Sequence, residues 1–218
     1  MKALDAELRR AGSADRATHE KAYLKSELEH YGVPVPAIRK LVKAYARAHR
    51  DMTREELLAD VAWLWGRRVH ELRVAACELL VSYGRLLAEE DAALIERLLR
   101  EAKTWALVDV LTPQVMGPLF VAHPSLGQVL DRWARDPDFW VRRAAMLTLL
   151  LPLRAGGGDF ERFSRYAAAM LGDKEFFIRK AIGWVLRETS KKRPALVRAW
   201  IEEHRPTGLT LREAARYL

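Results

Sequence analysis

At 218 residues, half of them hydrophobic and 30% charged, the chain can bury a substantial core and is not a disordered segment. A formal net charge of +8 admits polyanions as partners without selecting one. The lone cysteine, Cys77, excludes an internal disulfide and reads as a buried small hydrophobe, which fits a reducing compartment.

Taken in chain order, almost every segment reads as helix, because apolar residues recur three and four apart and β-branched alternation is scarce. Met1–Arg10 is a charged amphipathic helix with no apolar secretory core. Breaks follow at Gly32–Val33–Pro34, Gly66, Gly84, Thr112–Pro113, His123–Pro124 and Asp136–Pro137. The last three fall at Gly156–Gly158, Gly172–Asp173 and Arg205–Pro206. None is long enough for an interdomain linker, so a single domain over 1–218 is expected. The longest apolar run, near Met146–Leu153, is cut by Pro152 and is far short of a membrane span.

Six stretches along this helical chain are self-similar: Ile38–Leu41, Leu72–Ala75, Ala106–Asp109, Val141–Ala144, Ile178–Ala181 and Leu211–Ala214. Their last residues are spaced by 34, 34, 35, 37 and 33. A period of that size in helical sequence means stacked helix pairs, each burying its apolar face against the next. The pattern apolar–Arg–x–Ala resembles the second helix of HEAT repeats. The expected fold is all-α: a right-handed α-solenoid of about six HEAT-like helical hairpins with a concave basic groove.

The third repeat breaks the pattern, with Leu107 where the others carry Arg and Asp109 where four carry Ala. A carboxylate in a slot otherwise held by apolar residues is costly unless it is solvated, paired or used. Trp105 lies one helical turn earlier on the same face. Asp109 is therefore either the centre of a chemistry or a hydrogen-bonding group to a neighbouring helix.

Four runs then resemble a known family: Lys21–Lys25, Trp105–Asp109, Trp140–Ala145 and the long stretch Lys174–Glu188. Across most of its length the chain resembles the AlkD-like DNA alkylation-repair glycosylases. The resemblance implies a catalytic carboxylate at Asp109 and an arginine beside it at Arg143. It also implies that Trp105, Trp184 and Tyr23 line the lesion cleft. The implied activity is hydrolytic release of cationic N3- and N7-alkylated purines from duplex DNA, with the lesion left in the duplex. The chain has Thr104 where a second tryptophan can precede the motif in that family, which narrows the aromatic floor.

An alkylated purine already carries positive charge, so the base needs no general acid to leave. The oxocarbenium-like sugar does need stabilising, and a fixed carboxylate supplies that or positions the water. Lys40, Arg143 and Lys180 precede the repeat slot, and Arg39, Arg73, Arg142, Arg179 and Arg212 lie two before it. Lys180, Lys40 and Arg179 are candidates for backbone phosphates, whereas a ladder of arginines at one repeat position more often forms ion pairs between repeats. Trp63, Trp65, Trp133 and Trp200 fall on apolar stripes and read as core.

The six histidines show no metal-ligand spacing; His70–Glu71 opens like a zinc-protease helix but lacks the second histidine. No metal and no cofactor are implied. The expected partner is double-stranded DNA containing alkylated bases, with no membrane, for a monomer in the cytoplasm at the nucleoid. The competing readings are a non-catalytic repeat protein that binds distorted duplexes and a protein–protein scaffold.

Overall fold

A computed structural model describes residues 1–218, folded as helices without a β-sheet. The chain forms two compact units, Met1–Ala88 and Glu89–Leu218.

In the first unit, α1 (Lys2–Arg10) and α2 (Ala14–Leu24) precede α3 (Val35–Ala48), α4 (Arg54–Trp65) and α5 (His70–Ser82). Helix α4 starts on a capping box in which Thr53 and Glu56 satisfy each other's backbone amides. Helix α5 is the core of this unit and packs against both α3 and α4. Every residue from His70 to Leu80 is buried, Cys77 among them, as the apolar run Val74–Cys77 leads one to expect.

The second unit begins with α6 (Ala92–Ala102) and α7 (Trp105–Val110). The sequence places a break at Thr112–Pro113, and here the structure differs. The helix runs on through a π-turn, Leu111–Met116, into α8 (Gly117–Ala122). An α-helix pairs the amide of residue 113 with the carbonyl of Asp109, but Pro113 has no amide to give. Widening the turn to π geometry keeps the helix going around that missing bond. The Thr112 hydroxyl meanwhile donates to the Val108 carbonyl. The longest apolar helix is therefore Trp105–Ala122, 18 residues of mean hydropathy 1.4. More than half of it is buried inside the protein, which marks it as a core helix.

Next come α9 (Gly127–Trp133), α10 (Phe139–Leu147), α11 (Leu150–Arg154), α12 (Phe160–Ala169), α13 (Phe176–Ser190), α14 (Pro194–His204) and α15 (Gly208–Ala214). Side-chain caps from Asp138 and Asp159 start α10 and α12.

The six repeat slots fall one each on α3, α5, α7, α10, α13 and α15. Ala75, Ala144, Ala181 and Ala214 are fully buried. In the second unit, α7 packs on α10, α10 on α13 and α13 on α15. The helical repeat read from the sequence is thus the architecture observed, and alanine occupies the slot because neighbouring helices close over it.

Two of the five arginines two positions earlier tie one repeat to the next, and a third binds within its own hairpin. Arg39 pairs with Glu78 at 2.7 Å and Arg142 with Asp173 at 2.9 Å. Arg73 stacks on Trp65 and donates to its carbonyl at 3.3 Å. Among the tryptophans assigned to the core, Trp65, Trp133 and Trp200 are buried. Trp63 departs from that assignment: it is half-buried, with the Arg67 guanidinium 4.0 Å from its ring centroid.

Candidate active site

Asp109 sits on α7, whose first turn is capped by Thr104 through the Ala106 amide. Thr104 therefore starts the helix that carries Trp105 and Asp109. Its own side chain is buried and adds no aromatic surface.

Arg143, on α10, reaches Asp109 with two parallel bonds: Nε to Oδ1 at 2.9 Å and Nη2 to Oδ2 at 2.8 Å. Its third arm donates from Nη1 to the Phe177 carbonyl at 2.6 Å. The Arg143 side chain is 2% exposed and that of Asp109 is 19% exposed. The arginine is thus enclosed and bonded through each of its three nitrogens, while its carboxylate partner keeps a face toward solvent. A planar guanidinium suits this role, because its fork fixes both carboxylate oxygens at once.

Burial pushes the Asp109 carboxyl above its ordinary pKa, and the Arg143 and Lys180 cations oppose that shift in part. The acid thus sits in a poorly solvated place, bonded to Arg143 and within the field of Lys180. Each oxygen gives one lone pair to Arg143 and retains another.

Aromatic rings enclose the guanidinium. Its central carbon lies 5.8 Å from the Phe177 ring centroid and 5.9 Å from that of Trp184. Phe177 in turn stacks on Phe139 at 6.4 Å and meets Trp140 at 4.7 Å. Trp140 is buried in this cluster. Trp105 and Trp184 are both half-buried.

Lys180 is exposed on α13, with its ammonium 5.5 Å from the Phe176 ring centroid. Arg179 is half-buried, and its Nε is enclosed without a hydrogen-bond partner. Tyr23, 73% exposed, and Lys40, also exposed, belong to the first unit. Within the second unit the structure brings together Asp109, Arg143 and Trp184, with Lys180 close enough to act on Asp109 electrostatically. Sequence reasoning missed the Phe177 carbonyl, because a backbone acceptor leaves no residue-type signal. It also missed the π-turn, although Pro113 four residues after Asp109 was the clue.

Compared with known protein families, the chain matches the DNA alkylation repair enzymes over residues 4–218. It belongs to that family. Among solved structures, this DNA alkylation repair family member is similar to a predicted DNA alkylation repair enzyme from Enterococcus faecalis. The TM-score is 0.84 at 24% identity, over 95% of this chain and 96% of that one. AlkD2 from Streptococcus mutans is similar at a TM-score of 0.65 and 16% identity, over 85% of this chain and 90% of that one. The smu.31 protein from Streptococcus mutans UA159 gives 0.62 at 17% identity, over 84% of this chain and 98% of that one. These likenesses bear on the fold. A comparison with curated protein sequences finds no match.

Proposed function

We propose that this family member is a monofunctional DNA glycosylase that releases cationic N3- and N7-alkylated purines from duplex DNA. The observation that carries the reading is the Asp109 carboxylate, fixed through both oxygens by enclosed Arg143 yet still reachable from solvent.

The chemistry follows from the charges. The alkylated base leaves as a neutral purine, taking the bonding electrons, and the deoxyribose is left with oxocarbenium character. Asp109 stabilises that positive charge without reorganising, because Arg143 already holds its orientation. Water then adds at the anomeric carbon and releases a proton to solvent, leaving an abasic site. The retained lone pairs of Asp109 are available to orient that water. Trp105, one helical turn before Asp109, and Trp184, over the Arg143 guanidinium, are half-buried and offer π faces that favour a cationic lesion by about 0.5–2 kcal/mol each. Tyr23, exposed on the first unit, is given a lesion-contacting role on the family resemblance alone. Lys180, Lys40 and Arg179 are assigned to the phosphates, with double-stranded DNA as partner and the nucleoid as the place of action.

Single-turnover release of N7-methylguanine from duplex DNA tests the reading. The wild-type protein should exceed Asp109→Asn by roughly a hundredfold or more, the scale of a preorganised electrostatic group. Equal rates for the two proteins would refute catalysis at Asp109. Salt-sensitive duplex binding without release would assign the chain to a non-catalytic DNA-binding role.

A further inference from the structure

The first unit contains a second polar cluster that the repair reading does not use. The segment between α2 and α3 docks on the start of α5. The Glu29 amide donates to the Arg68 carbonyl at 3.1 Å, and the His70 amide donates to the Glu29 carbonyl at 2.9 Å. Glu71, fully buried, accepts the amides of Tyr31, Gly32 and Val33 at 2.9, 2.6 and 3.2 Å.

These contacts lay the His30 ring on the His70 ring, with centroids 4.6 Å apart and planes within 6°. Both ring nitrogens of His30 and Nδ1 of His70 are enclosed without a hydrogen-bond partner. His70 itself is only 5% exposed. Enclosed nitrogens left unpaired are rare in folded proteins, and each asks for an explanation.

Two carboxylates supply one. Glu20 on α2, Glu71 on α5 and His30 each offer a ligand atom, and the three atoms lie within 4.8 Å of one another. Imidazole and carboxylates around an ion at roughly 2.0–2.2 Å per bond would stand about 3.4 Å apart. The half-buried side chains of Glu20 and His30 can close that difference by rotating.

We propose that Glu20, His30 and Glu71 form a binding site for one divalent first-row transition ion of the zinc class. Glu71 gives three of its roughly four lone pairs to backbone amides and has one left for the ion. Two carboxylates balance the dication, and imidazole brings the site into the zinc class rather than the calcium class. His70, stacked face to face, restrains the His30 ring. The bound ion joins α2, the following loop and α5, and so has a structural role.

The site is tested with the whole chain, stripped with a chelator and titrated with Co²⁺ while visible absorption is recorded. One equivalent should bind with the intense bands of low coordination, and Zn²⁺ should displace it. His30→Gln and Glu20→Gln should each weaken binding tenfold or more, whereas His19→Ala, next to Glu20 and exposed, should not. Zinc should raise the melting temperature of the wild-type protein but not of His30→Gln. Uptake well below one equivalent, or His30→Gln binding Co²⁺ as tightly as wild type, overturns the proposal. Neither readout involves base release, so the outcome is independent of the role given to Asp109.

Discussion

Burial and the neighbouring cations pull the Asp109 carboxyl in opposite directions, and the sign of that balance sets a pH dependence. Its pKa is raised in the folded protein. Between the ordinary carboxylate value of about 4 and the raised one, the folded chain keeps a proton that the unfolded chain has lost. The ionised group therefore lowers stability above that window, and the loss is recovered as pH falls through it. Activity runs the other way, because only the carboxylate stabilises a cationic sugar. Base release should fall on an acid limb centred above pH ~4. Arg143→Lys keeps a charge but loses the fork, so the limb should move to higher pH and the plateau rate should drop. A pH–rate profile of both proteins settles this, and superimposable limbs would mean that Arg143 does not hold the carboxylate ionised. The sequence marked Asp109 as an acid in an alanine slot and left its two readings open. The structure contains features of both, a bond to the neighbouring hairpin and an exposed face.

Helix α13 carries Lys180 and Trp184 and lies closely against α15. Gly183 makes that approach possible: a β-carbon there would stand 2.5 Å from Glu213 Cβ and 3.0 Å from the Thr210 carbonyl. Gly183→Ala gains helix propensity of up to about 1 kcal/mol but overpacks the contact by about 1–3 kcal/mol. The urea midpoint should fall, and a rise would mean that α13 and α15 do not meet this closely. The helices themselves were legible, since periodicity and capping residues such as Thr53, Asp138 and Asp159 are local features. The course of Trp105–Ala122 was not. Proline ordinarily ends a helix, and only burial of the surrounding apolar residues makes continuing through a π-turn the better solution.

For the molecule as a whole, the net charge of +8 matters as a supply of unpaired cations. Several arginines are already committed to carboxylates, Arg142 to Asp173 and Arg39 to Glu78 among them. Duplex affinity should fall steeply with salt, and Lys180→Ala should reduce the log–log slope by about 1. Arg142→Ala should leave the slope nearly unchanged, because that charge is neutralised within the protein. Equal effects of the two substitutions on filter-binding isotherms would refute the division.

By itself the sequence determined the all-helical class, the repeat of about 34 residues, the family and the residues around Asp109. The class and the repeat depend on spacing along one chain, which helix periodicity writes directly into residue order, whereas the family and the residues around Asp109 rest on the resemblance of its motif runs. Tertiary structure alone decided that Arg143 is enclosed and turned onto Asp109 and the Phe177 carbonyl, and that His30 meets Glu71 from 41 residues away. Such meetings depend on how separate helices close on one another, and long-range packing leaves no periodic trace in the order of the residues.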